Sequence, residues 1–257
     1  MELTTCRFAV EGGVATITLD RPPVNAQNRK LRQELTRLFD ACSDREDVRC
    51  VVLTNAGNTF SAGADIKERV GLVKEPGDYI AHNRLTREFF YAPMDCQKPV
   101  ICAVNGPAIG AGLALMLSCD ILFASDTCWV QMPELDVGLA GGAKFLSEHF
   151  SRSKARMMFF TGRKVPAAEL YRLGLIEEVL PRDALLPAAL AMAREIAEKS
   201  PLAARESKRS FAAVESMPYR DAYRFEQTIT EALSHSEDTR EAQAAFLGKR
   251  KPVFKGR

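Results

Sequence analysis

Apolar and polar residues first alternate with a period of two. Arg7 to Val10 and Val14-Ala15-Thr16-Ile17-Thr18-Leu19 read as paired strands around the turn Glu11-Gly12-Gly13, so the pattern predicts an opening hairpin that ends at Asp20-Arg21-Pro22-Pro23. The period then lengthens. Leu31, Leu35 and Leu38 share one helical face, which predicts a helix from Gln27 to Cys42 with Asn25 as its cap. Val48 to Thr54 is β-branched and apolar, as a buried strand should be. After the glycine-bearing loop Thr59 to Asp65, a long helix is expected over Asp78 to Met94. Lys98-Pro99 opens a strand over Val100 to Val104, followed by the loop Asn105-Gly106-Pro107, a buried helix over Gly110 to Ser118, a strand over Ile121 to Ala124, and Trp129-Val130-Gln131.

From Ser151 onward the periodicity is helical, with helices expected over Pro187 to Glu198, Leu202 to Val214, Tyr219 to Ser234 and Glu237 to Phe246. Strand–helix alternation followed by helices alone implies an α/β core over residues 1–195 and a helical region over 196–257.

Composition narrows the class. The 35 basic and 33 acidic side chains leave a net charge of +2, which supplies no field to draw nucleic acid or a membrane surface, although Lys249, Arg250, Lys251, Lys255 and Arg257 make the tail locally basic. The longest apolar run, Ala108 to Leu117, is too short for the ~20 residues of a membrane span. No signal-peptide pattern follows Met1. The 7 cysteines form no CxxC pair and read as reduced, buried side chains of a cytoplasmic protein. His82, His149 and His235 have no ligand spacing, so no metal site is expected.

Two loop-to-helix junctions carry the candidate chemistry: Ser61-Ala62-Gly63-Ala64-Asp65-Ile66-Lys67 and Asn105-Gly106-Pro107-Ala108-Ile109-Gly110-Ala111-Gly112. Small residues there let a ligand approach backbone N–H groups that have no partner in the helix. Two such groups converging on one carbonyl oxygen would stabilise negative charge on it.

The segments FSAGADIKE (Phe60 to Glu68), KPVICAVNGPAIGAGLALMLSCDILFAS (Lys98 to Ser125) and MPELDVGLAGG (Met132 to Gly142) resemble the crotonase (enoyl-CoA hydratase/isomerase) superfamily in order and spacing, supported by DRPPVNA (Asp20 to Ala26) and the ending from His235. The resemblance spans essentially the whole chain. It implies an α/β crotonase-like spiral of ββα repeats with a helical C-terminal trimerisation region, a homotrimer or homohexamer, an acyl-CoA substrate, and no cofactor beyond the coenzyme A of that thioester. By motif matching, Ala64 and Ala111 would supply the oxyanion-hole N–H groups. Ala62, Asp65 and Ile66 fall where the family contacts the adenine end of CoA, and Lys249, Phe254 and Lys255 in the tail it places near CoA phosphates, sometimes across a subunit boundary. A solvated basic tail accounts for Lys249 equally well.

The acid/base inventory is where this chain departs from the family pattern. Hydratases of the family use two glutamates; the matching positions here are Ala114 and Glu134. Dienoyl-CoA isomerases share the string around Asp136, but the positions of their further carboxylates are Ala114 and Gly142; Asp136 also fits a helix or turn cap. One glutamate suffices for a 1,3-proton shift, since the same group removes and returns the proton, whereas syn hydration ordinarily holds its water between two. The resemblance therefore favours an enoyl-CoA isomerase or hydratase-like enzyme with Glu134 as acid/base. The alternatives are a hydroxycinnamoyl-CoA hydratase-lyase, a CoA-thioester hydrolase, or a non-catalytic crotonase-fold binding protein. Ser61 lacks the GxSxG setting of a serine nucleophile. Tyr79 and Tyr91 lie on the helix that could overhang the acyl pocket, and Trp129 reads as core.

Overall fold

The computed structural model describes residues 2–257. The expected hairpin is present: β1 (Cys6–Glu11) runs antiparallel to β2 (Val14–Leu19), with Cys6 opposite Leu19. From β2 outward every pairing is parallel, through β3 (Cys50–Asn55), β4 (Val100–Val104), β6 (Ile121–Ser125) and β9 (Glu178–Leu180), giving a six-stranded sheet of order β1-β2-β3-β4-β6-β9. A small second sheet, β5 (Ala108–Ile109), β7 (Trp129–Gln131) and β8 (Val165–Pro166), stands beside it.

Every residue of β3 and β4 is buried, as parallel strands covered on both faces require. Their alternation sorts side chains into two cores. Val51 and Leu53 face the larger one, under α1 (Arg29–Asp44), α3 (Asp78–Asp95) and α4 (Ala111–Leu117), with Leu31, Leu35, Phe39, Phe89 and Leu113. Cys50 and Val52 face the other, filled by Leu185, Ala189, Ala193 and Ala197 of α8 (Arg182–Ala197). Small residues on α8 let the helix sit close to the strands. The expected division at 195/196 falls inside α8.

The remaining helices are the short α2 (Ile66–Arg69), then α5 (Ala143–His149), α6 (Arg152–Thr161), α7 (Ala167–Arg172), α9 (Pro201–Val214), α10 (Tyr219–Ser234) and α11 (Glu237–Leu247). Of these last three, α9 buries no residue against its own chain and α10 only Ile229. Among the described residues no helix is long and apolar enough to cross a membrane.

Four local expectations are corrected. Asn28, not Asn25, caps α1 by accepting the N–H of Leu31, while Asn25 adopts φ 49° and donates its side-chain amide to Ala56 O (3.1 Å) and Thr59 O (2.8 Å) in the loop after β3. The chain from Ser151 onward is not purely helical, because β8 and the edge strand β9 lie within it. α8 begins before Pro187 and carries that proline inside it; the proline reads as a helix start because its missing N–H is harmless there. Trp129 is half-buried at the start of β7, the central strand of the small sheet, with the Lys164 ammonium 3.9 Å from its ring centroid.

Candidate active site

The two loop-to-helix junctions meet at the carboxyl ends of β3 and β4, and they meet backbone to backbone. Ser61 N–H donates to Pro107 O (3.2 Å), and Ile109 N–H returns a bond to Ser61 O (3.0 Å). On the other side of the first loop, Gln27 N–H donates to Gly63 O (2.7 Å) and Asp65 N–H to Gln27 O (3.3 Å). Ser61 is wholly buried; its hydroxyl donates to Asn25 O (2.7 Å) and accepts from Gly63 N–H and the Gln27 amide, so it is a brace and not a free nucleophile.

Two glycines make this contact possible. A Cβ on Gly63 (φ 87°) would lie 2.6 Å from Ile109 O, and one on Gly112 would lie 2.3 Å from Ser61 O. Neither clash is relieved by a side-chain rotation, because the obstacle is backbone. The result places Ala64 and Ala111 on facing loops, and among the described residues neither N–H has a hydrogen-bond acceptor. Asp65 caps α2 by accepting Lys67 N–H (3.0 Å) and pairs with Arg21 (2.7 Å).

Glu134 comes to the same place from a different part of the chain. It opens a 3₁₀ turn (Glu134–Val137) after Pro133, and a Cβ on Gly110 would lie 2.6 Å from its Oε1. The carboxylate therefore rests on the residue just before Ala111. It is half-buried and makes no side-chain hydrogen bond or ion pair among the described residues. Burial pushes its pKa above the usual carboxylate range, and the nearby Arg69 guanidinium opposes that shift. Ala114 is buried in α4, one turn along from Gly110.

A chain this similar to known proteins can be placed by comparison. The family model described as "Enoyl-CoA hydratase/isomerase" matches residues 9–257. The chain belongs to the enoyl-CoA hydratase/isomerase family. A Rhizobium meliloti (strain 1021) protein named "Probable enoyl-CoA hydratase" is 36% identical over 261 residues, covering 100% of both chains. A Mycobacterium tuberculosis (strain ATCC 25618 / H37Rv) protein named (7aS)-7a-methyl-1,5-dioxo-2,3,5,6,7,7a-hexahydro-1H-indene-carboxyl-CoA hydrolase is 35% identical, over 93% of this chain and 96% of its own. The crystal structure of an enoyl-CoA hydratase from Bacillus anthracis superimposes with a TM-score of 0.92 at 29% identity, over 99% of this chain and 100% of that one. The fold is thus the α/β crotonase fold of these hydratases, and the protein is an acyl-CoA enzyme of the hydratase/isomerase family.

Against this family background the structure brings some expected site residues together and separates others. Ala64, Ala111 and Glu134 converge, with Ala62, Asp65 and the exposed Ile66 on the same rim. Lys249, Phe254 and Lys255 do not join them within one chain. Phe254 O accepts from Arg49 (3.4 Å), which precedes β3, so the tail lies at the amino end of a strand whose carboxyl end carries the site. A six-residue strand spans roughly 17 Å. Lys255 N–H is held by Asp238 (2.7 Å). Tyr79 stands 3.5 Å from Arg69, on the site's side of α3, and Tyr91 is exposed farther along the helix. His82 is buried on α3, while His149 and His235 are exposed.

Two residues near the site escape any motif. Gln27, fully buried, donates its side-chain amide to Ala111 O (3.0 Å) and so binds one loop to the other. Arg69 supplies the charge that faces Glu134. The only signal for Gln27 was a polar residue directly after the supporting segment DRPPVNA.

Proposed function

We propose that the protein catalyses a 1,3-proton shift in an enoyl-CoA thioester, with Ala64 and Ala111 N–H groups stabilising the enolate oxygen and Glu134 carrying the proton. The observation that supports it is the placement of a lone, unpaired carboxylate on Gly110, beside two N–H groups that have no acceptor. Glu134 removes the proton from C2 of a 3-enoyl-CoA. The electron pair moves into the thioester carbonyl, whose oxygen takes up the charge between the two donors. The same carboxyl returns its proton at C4, leaving the 2-enoyl-CoA. A raised carboxyl pKa suits a group that must both accept and donate near neutrality. The reaction needs no cofactor beyond the coenzyme A of the substrate.

On this reading Ala62, Asp65 and Ile66 border the adenine end of CoA, and Lys249, Phe254 and Lys255 reach the phosphates from a second copy of the chain. The exposed aromatic and aliphatic residues of the C-terminal helices, among them Phe211, Tyr219, Tyr223 and Phe246, supply the surface for a homotrimer or homohexamer. A CoA-thioester hydrolase is the second reading, favoured by the 35% identity to a CoA hydrolase. Incubation with 3-hexenoyl-CoA, crotonyl-CoA and a saturated acyl-CoA, with products separated chromatographically, decides between them. Isomerised 3-hexenoyl-CoA with little hydration of crotonyl-CoA supports the proposal; release of free CoA supports the hydrolase; inertness toward every thioester refutes both.

A further inference from the structure

One buried residue touches both halves of the site. Gln27 is fully buried between β2 and α1, and it meets Ala64 through its backbone and Ala111 through its side chain. The backbone contact fixes a direction. Gly63 O and the Ala64 N–H belong to one peptide group, which is planar and trans, so the two point opposite ways. Gln27 N–H holds Gly63 O at 2.7 Å, and Gln27 O holds Asp65 N–H at 3.3 Å, so Ala64 is clasped between them. Its own N–H is thereby turned away from Gln27, where it has no acceptor among the described residues.

The side-chain contact fixes a distance. Gln27 Nε2 donates to Ala111 O (3.0 Å) and to Ser61 Oγ (3.3 Å). Ala111 O can only accept, so the amide nitrogen is the group that faces it, and Oε1 is left buried without a donor. That orphan acceptor is destabilising, and an apolar side chain of similar shape would not carry it. Nor does the join between the loops depend on this amide, because Ser61 N–H to Pro107 O and Ile109 N–H to Ser61 O already connect them. Without the amide, the Ser61 hydroxyl still donates to Asn25 O (2.7 Å) and accepts from Gly63 N–H (3.2 Å). What the amide adds is the position of Ala111 relative to Ala64.

We propose that Gln27 is a positioning residue that holds the two N–H donors in register for the thioester oxygen, and that its side-chain amide serves turnover and not folding. This rests on the reading above in which Ala64 and Ala111 are those donors. Being fully buried, Gln27 acts through Ala111 and not on the substrate. Stabilisation of a developing oxyanion requires donors fixed before the charge appears, and a side chain braced against one loop while its backbone is braced against the other supplies that fixity.

The test removes the amide and leaves the backbone bonds in place. Gln27→Met and Gln27→Leu are compared with wild type by kcat and KM on 3-hexenoyl-CoA, by Kd for hexanoyl-CoA, by Tm, and by infrared spectroscopy of bound hexanoyl-CoA carrying an isotope-labelled thioester carbonyl. Hydrogen bonds to a carbonyl oxygen lower its stretching frequency, so the infrared band reads the two donors in the bound state, whichever reaction the enzyme catalyses. A misplaced donor costs less than an absent one, so kcat should fall by about tenfold to 10²-fold while Kd stays within about threefold of wild type. Tm should stay at or near the wild-type value, and the infrared shift should be smaller than in wild type. A variant that folds and keeps kcat within about threefold, or keeps the full infrared shift, overturns the inference and leaves the isomerase reading standing. A fall in kcat that only tracks the folded fraction, or failure of both variants to fold, also overturns it, because the amide would then serve the fold. Wild-type protein that binds no thioester, or binds one with no infrared shift, overturns the assignment of the donors and both readings together.

Discussion

Gly110→Ala probes the join between the acid/base group and the N–H donor. The added Cβ would lie 2.6 Å from Glu134 Oε1, against the 3.4 Å at which ordinary contact begins, so the carboxylate must retreat by about 0.8 Å. A displacement of about 1 Å in a reacting group can cost on the order of 10²-fold in rate. The backbone adds strain, because Gly110 has φ 53° and ψ −116°, a conformation that costs an L residue ~1–3 kcal/mol. A domain with the usual ~5–15 kcal/mol of stability withstands that. The side-chain clash is with the end of a flexible glutamate, which can swing aside, and so it falls on activity more than on folding. The assay is isomerisation of 3-hexenoyl-CoA, with CoA-ligand affinity by calorimetry and Tm on the same preparation. The expected outcome is kcat lower by about 10²-fold, CoA-ligand affinity within about threefold of wild type, and a modest fall in Tm. If Gly110→Ala retains kcat within about threefold of wild type while remaining folded, the position of Glu134 on Gly110 does not set the rate and the proposed role of that carboxylate is wrong.

Further predictions are as follows. Glu134→Gln keeps the shape of the side chain but cannot carry a proton; turnover should fall by ~10²–10⁴-fold with ligand binding nearly unchanged, measured by the same assay. The acid limb of kcat/KM should follow the raised pKa of Glu134, with activity lost as pH falls through it. Arg69→Met, which removes the opposing charge, should move that limb to higher pH. Ala114→Glu should raise hydration of crotonyl-CoA if the missing second glutamate limits that reaction. Burial raises the carboxyl pKa of Glu34, but bonds from the hydroxyls and N–H groups of Thr5 and Thr4 outweigh it and hold it at about 2, against 4.5 for the free group. A folded-state pKa below the unfolded value means that this stabilisation is present above about pH 4.5 and is lost as pH falls towards about 2. It amounts to on the order of 3 kcal/mol at neutral pH, and chemical denaturation of Glu34→Gln against wild type at pH 7 and pH 3 should show a difference that shrinks in acid. Sedimentation velocity should give a particle several times the 28.4 kDa chain, because Phe211, Tyr219, Phe246 and Leu247 are at least 70% exposed in the single chain; a stable monomer would contradict the proposed assembly.

What the sequence by itself determined is whatever local periodicity encodes. The two-residue rhythm of Val14 to Leu19 and the four- and three-residue spacings of Leu31, Leu35 and Leu38 report backbone geometry directly, and α10 has the bounds its pattern predicts. The motifs placed Ala64, Ala111 and Glu134 at loop-to-helix junctions and after a proline, where the structure finds them. Their convergence was beyond any local pattern. It depends on Gly63 and Gly112 admitting backbone at 2.6 Å and 2.3 Å from where a Cβ would be, a contact between segments far apart in the chain. Asn25 and Asn28 both satisfy a capping preference, and only the path of the loop decided which one does so. On α1 the leucines announced one buried face, yet Arg32 and Glu34 are buried as well. Glu34 is buried because the Thr4 and Thr5 hydroxyls and N–H groups reach it, and Arg32 because α3 covers it. Hydrophobic periodicity identifies the side chains that water expels. It is silent on polar groups that neighbours from elsewhere in the chain have enclosed.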